Sequence, residues 1–212
     1  MKKVLIIAVL MVVALIQSNC SKSDDMETIE LLGQENYVLP INDFIPDSLQ
    51  SKIEVQVDTM PKGYIPCSIE GEYVISPTKF CYSNFIDLND TQEIHFRVTN
   101  QHNRTAHVEL HEGSTVVTDT AYIMGNGQNF TLYFKEKRTR SFFGQNESVL
   151  DRSVIITGEK TEAGIKDLMF TTIILAAEQG DNPLVGTFRP GWYFIYKDRD
   201  GLSENCDWFD NN

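Results

Sequence analysis

Period-two alternation is the feature that most limits what this chain can become. From Ser68 onward, apolar and polar residues trade places along short segments separated by turn signals. NFTLYFKEK (129–137) sets Phe130, Leu132 and Phe134 against Thr131, Tyr133 and Lys135. EIHFRVT (93–99) and TAHVELH (105–111) do the same with Ile94, Phe96 and Val98, then with Ala106, Val108 and Leu110. Successive side chains of a strand point to opposite faces, so such runs read as half-buried strands. IEGEYVIS (69–76), TVVTDTAYIM (115–124), the segment 149–158 and WYFIYK (192–197) belong to the same series. KFCYSNFI (79–86) is expected to continue the 69–76 strand. DLMFTTIILAA (167–177) is apolar on both faces and reads as a strand covered on both sides. Reversals are signalled at Asn100–Arg104, at Glu112-Gly113-Ser114 and at Gly125-Asn126-Gly127, because Gly and Asn accept positive φ. Loops are expected over Arg138–Glu147 and Glu178–Pro190.

The count is about eight strands joined mostly by short reversing loops, and no helical stretch is long enough for βαβ crossovers. The class is therefore all-β, an antiparallel up-and-down meander over 67–197. A meander of that size must bury or close its edges. A barrel, closed or nearly so, does this with hairpins alone, and a β-sandwich is the alternative. Residues 31–66 are mixed, interrupted by Pro40, Pro46, Pro61 and Pro66. A short helix is expected from Asn42 or Asp43 to about Ile53, and IEVQVD (53–58) alternates like a strand. The acidic tail, 198–212, is expected to be mobile.

The N-terminus carries a different signal. Lys2 and Lys3 precede an apolar run from Val4 to Ile16, followed by Gln17-Ser18-Asn19 and Cys20. Basic, apolar and small-polar regions in that order read as a secretory signal over 1–19. The run falls short of the ~18–20 apolar residues that cross a bilayer. It resembles bacterial lipoprotein signals, in which the cysteine becomes the lipidated first residue, with Asn19 larger than the usual glycine or alanine before the cut. Ser21-Lys22-Ser23-Asp24-Asp25, within a tether over 20–30, resembles the acidic export signal of surface lipoproteins in the Bacteroidota. The resemblance implies a protein held by acyl chains at Cys20 on the outer membrane and exposed at the cell surface. Two or more acyl chains anchor stably without spanning. The segment Gly71–Lys197, with GEYVIS (71–76) as opening strand, looks like the lipocalin-like (calycin) group of bacterial envelope lipoproteins.

Charge narrows the partners. The chain has 18 basic and 30 acidic side chains, a net charge of −12, and becomes two units more negative once Lys2 and Lys3 leave. A surface that acidic does not attract nucleic acid or anionic lipid, so membrane attachment rests on Cys20. Cys67, Cys81 and Cys206 remain. In an oxidising envelope Cys67 with Cys81 is the shortest closure, and Cys206 is a competing partner. No CxxC is present, which argues against redox catalysis and a zinc ribbon.

Candidate chemistry is sparse. All four histidines, His95, His102, His107 and His111, fall in one turn and its flanking strands. His107, Glu109 and His111 share a strand face, and His95 joins them if the hairpin register is even. Such a set could ligate zinc, copper or a haem iron; the competing reading is a solvated face. HVELH does not fit a zinc-protease HExxH, whose glutamate follows the first histidine on a helix. DRDGLSE (198–204) resembles half an EF-hand loop but lacks the third Asp or Asn and the distal glutamate. KEKRTR (135–140) reads as a solvated basic loop. Trp192, Phe194 and Tyr196 alternate on one face and could line a barrel mouth that holds an apolar ligand, or serve only as core and rim. No nucleophile elbow, SxxK or phosphate loop is present. The expected function is therefore non-catalytic: binding of a small apolar or amphipathic ligand, with no cofactor. An accessory or scaffold subunit contacting envelope proteins or glycans is the second reading, and a metal or haem carrier the third.

Overall fold

Hairpin after hairpin, the chain lays its strands side by side in one sheet. The computed structural model describes residues 41–57, 60–85, 93–142, 145–178 and 188–209. The elements are helices α1 (Ile41–Phe44) and α2 (Asp47–Gln56), then strands β1 (Tyr64–Pro66), β2 (Gly71–Ile75), β3 (Thr78–Ser83), β4 (Ile94–His102), β5 (Thr105–Glu112), β6 (Thr115–Gly127), β7 (Asn129–Phe142), β8 (Gln145–Lys160), β9 (Gly164–Glu178), β10 (Tyr193–Asp198) and β11 (Leu202–Glu204). The sheet runs β2-β4-β5-β6-β7-β8-β9-β10-β3, with β1 parallel on β6 and β11 on β9. All other pairings are antiparallel. It is an all-β meander curled into a barrel-like shape around one interior. Two stacked sheets, the sandwich alternative, do not describe it, because β2 to β3 are continuous through one ladder.

Alternation decides what lies inside. Tyr73 and Ile75, Phe96 and Val98, Val108 and Leu110, Ile123, Leu132 and Phe134, Val154 and Ile156, and Phe170 form one buried cluster contributed by seven strands. These side chains pack against one another in the interior, and each large one contributes about 1.5–3 kcal/mol by leaving water. The convex face of β7–β9 is also covered. Thr131, Tyr133, Ile155 and Ile173 are buried there. Phe44 packs its ring 5.7 Å from those of Tyr122 and Tyr133, and the Tyr133 hydroxyl reaches Met60 Sδ at 3.9 Å.

Four expectations change. IEVQVD is not a strand: α2 runs through Gln56. Ile53, Val55 and Val57 alternate as in a strand, whereas Leu49, Ile53 and Val57 fit one face of a helix, and burial chooses the helical reading. Leu49, Ile53 and Val57, four apart, are buried while Val55 is 76% exposed. The basic run 135–140 is not a loop, since β7 continues to Phe142 and β8 starts at Gln145. KFCYSNFI does not extend β2; after Pro77 it becomes β3, at the far end of the strand order. The tail is not free through Phe209. Leu202–Glu204 pairs with Gly164–Lys166 of β9, Asn205 bridges to Tyr73 of β2, and the Cys206 N–H donates to the Glu72 carbonyl at 3.0 Å. These links join β9 to β2 and draw the curled sheet towards closure.

The sheet also has a fork. The β6–β7 ladder ends at Tyr122↔Tyr133, while β5–β6 continues to Glu112↔Thr115 and β7–β8 to Phe142↔Gln145. Beyond the fork is an opening of about 490 Å³, lined by Val116, Asp119, Lys135, Glu136, Arg152 and Leu175 among others.

Candidate ligand-binding end of the barrel

The inward face of β7 changes character along its length. Phe130, Leu132 and Phe134 are followed, at the same parity, by Glu136 and Arg138. Both charged side chains are fully buried. Arg152 on β8 and Glu112 at the end of β5 complete a group of four. Arg138 Nη1 donates to Glu112 Oε2 at 2.6 Å, Arg152 Nη2 donates to the same oxygen at 3.2 Å, and Arg152 also contacts Glu136 Oε1. Arg138 Nε stands 3.7 Å from that Glu136 oxygen. Burial weakens the Arg152 charge, and Glu112 beside it restores part of it. The group is formally neutral, yet Arg138 Nε and Nη2 and Arg152 Nε are buried without acceptors, and Glu136 Oε2 is buried without a donor. Nitrogens left in that state are costly, and they suit an incoming anionic group.

Next to the four charges lies an aromatic group. Phe194 pairs with Thr172 and Tyr196 with Phe170 of β9, so both share the inner parity. Leu150, Ile174 and Phe194 form a second small core, against which Ala177, Phe188, Trp192 and Tyr196 pack. Tyr196 also touches the main interior cluster and meets Phe80 of β3 edge-on at 5.8 Å. Phe85 stacks face to face on Trp192 and is 47% exposed. Asn84 clamps this corner: its Nδ2 donates to the Gly191 carbonyl at 2.9 Å, and its Oδ1 accepts from the Tyr193 N–H at 3.0 Å. The candidate residues Trp192, Phe194 and Tyr196 are thus together on one side, half-buried except for Phe194.

The histidine face forms as the register requires. His95 is opposite His111, Arg97 opposite Glu109, and Thr99 opposite His107. Glu93 Oε1 lies 2.5 Å from His95 Nε2 and Glu109 Oε1 lies 2.9 Å from His111 Nε2, while Arg97 donates to Glu109 at 2.7 Å. His95 and Ser76 hold the Glu93 carboxyl below its ordinary pKa, and His111 and Arg97 do the same for Glu109. The C-terminal segment covers this row. Trp208 stacks on His95 at 4.5 Å and meets His111 at 4.7 Å, and Arg97 lies over the Phe209 ring at 4.7 Å. His107 is exposed and stands apart. The row His95, Glu109, His111 is a docking platform for Trp208 and Phe209. Among the described residues no set of three or more His, Cys, Asp or Glu side chains converges on one point.

Cys67 and Cys81 are not joined; they and Cys206 are free thiols. Cys67 Sγ donates to the Gln128 carbonyl at 3.6 Å, while Cys81 sits on β3, at the opposite end of the strand order from β2. Cys20 lies outside the described residues. Sequence reasoning missed the four buried charges, although a signal existed. Glu136 and Arg138 continue the parity of Phe130, Leu132 and Phe134, just as Arg152 continues that of Val154 and Ile156.

No protein-family model, curated protein or solved structure matches this chain.

Proposed function

We propose that this is a non-catalytic binding protein that takes an amphipathic molecule with an anionic head. The polar head would meet Arg138 and Arg152, and the apolar part would lie on Trp192, Phe194 and Tyr196. One observation carries the reading: buried arginine nitrogens without acceptors adjoin an aromatic group, with Arg138 opposite Leu150 and Arg152 opposite Ile174. Ion clusters that break an apolar interior are expensive, and sites of that kind concentrate function. The test is native mass spectrometry and calorimetric titration of residues 21–212 with dodecanoate, dodecanol and dodecyltrimethylammonium. Dodecanoate is expected to bind, the cationic amphiphile not to, and Trp192→Ala to weaken binding about tenfold, the scale of one lost aromatic contact. A chain that binds none of the three, or all three equally, refutes the reading.

The second reading, an accessory subunit contacting envelope proteins or glycans, is favoured by exposed Tyr64, Ile65, Tyr82 and Phe85. A zinc, copper or haem carrier has less support, since His95 and His111 are engaged by carboxylates and by Trp208. In every case the protein would be held at the outer membrane surface through lipid at Cys20. Fractionation of a Cys20→Ser variant checks this: the protein is expected to leave the membrane fraction, and one that stays there defeats the lipid anchor.

A further inference from the structure

The turn from β10 into β11 holds two carboxylates that the binding end does not use. Asp198 ends β10 and is 2% exposed. Its Oδ2 accepts a 2.9 Å hydrogen bond from Ser203 Oγ, whereas its Oδ1 is buried with no donor facing it. Asp200 is exposed, and its Oδ1 accepts from the Leu202 N–H at 3.1 Å. Gly201, at φ +84°, takes the left-handed conformation that brings the chain round between them and β11. Asp198 and Asp200 both line one cleft beside this turn. Burial chiefly, and Asp200 after it, push the Asp198 carboxyl up to about 6.

Beside them opens a polar cleft of about 710 Å³, whose lining includes Glu159, Asp167, Lys197 and Arg199 together with Asp198 and Asp200. Lys166 lies 3.5 Å from both Glu159 and Asp167 and so balances those two acids. The cleft has room for an ion with its water. Hard divalent cations take oxygen ligands, and magnesium in particular binds through one or two carboxylates while keeping several waters. We propose that this turn binds a hard divalent cation, with Asp198 Oδ1 and one carboxylate oxygen of Asp200 as its protein ligands and water in the remaining positions. The ion steadies the turn that leads into β11, and β11 with Asn205 links β9 to β2.

The test uses the full chain in detergent, stripped with a chelator and titrated separately with calcium and magnesium chloride. Binding is read by calorimetry and by the thermal midpoint. One ion per chain is expected, with a dissociation constant on the order of 10⁻⁴–10⁻³ M and a midpoint that rises with the ion. Proton and cation compete for the same oxygens, so affinity falls as pH drops from 7 through about 6. Asp200→Asn, at an exposed position the fold tolerates, is expected to weaken binding about tenfold or more. Glu159→Gln, in the same cleft, leaves it unchanged. No heat and no midpoint shift at millimolar ion overturn the proposal, as does equal affinity in Asp200→Asn.

Discussion

Glu136→Leu is expected to destabilise the domain by about 3–5 kcal/mol, the cost typical of removing one partner from a buried ion pair. Glu136 touches Arg152 and stands beside Arg138, and these two arginine side chains are only 7% and 0% exposed. Without Glu136, two buried positive charges share Glu112 alone. Replacing all four charges by apolar residues of similar volume behaves differently, because no charge is left unpaired. That variant is expected to be neutral, or more stable by about 1–4 kcal/mol. Urea denaturation of residues 21–212 measures both, and a loss below about 1 kcal/mol in Glu136→Leu contradicts the buried arrangement. The two variants also separate stability from binding: the apolar quadruple variant is expected to fold and to lose dodecanoate. If it keeps full affinity, the arginines play no part in recognising the anionic head.

Truncation after Gly201 is expected to cost more than about 3 kcal/mol, on the scale of deleting a large aromatic side chain from a core. It removes the β11 ladder on β9, the bridge from Asn205 to Tyr73 and the cover over His95 and His111. Two strand edges are then left with unpaired N–H and C=O groups, which also favours association between chains. Trp208→Ala keeps β11 and is expected to lose only about 1–2 kcal/mol, because Trp208 is half-buried. Denaturant midpoints and light scattering read the two effects. A truncated chain with an unchanged midpoint means that the tail does not hold the sheet together.

Much of this architecture was legible in the chain. NFTLYFKEK, EIHFRVT and TAHVELH became strands with the faces their alternation assigned, because one face met a core and the other did not. The histidine row was legible for the same reason: period two puts His107, Glu109 and His111 together, and an even register brings His95 opposite His111. What that row does was not legible. Whether a polar face is left to solvent or receives a segment from far along the chain depends on where that segment ends up. Trp208 and Phe209 gave no period that tied them to β4 and β5.

Local sequence alone determined the strand segments, the turns at Gly113 and Gly127, and the shared face of Trp192, Phe194 and Tyr196, since backbone sterics and the two-residue repeat act over a few residues; which face turned inward was left to the tertiary structure. Tertiary structure decided the matters in which two local readings were equally good. Ile53 and Val57 suit a strand with Val55 or a helix with Leu49 until packing buries Leu49, Ile53 and Val57 and leaves Val55 outside. KEKRTR looks like a solvated loop until Glu112 and Arg152 arrive from other strands to pair with Arg138 and Glu136 inside the barrel. The acidic tail looks free until β9 and β2 offer it unpaired edges. In each case the deciding energy comes from partners distant in sequence, and such partners exist only once the sheet has curled.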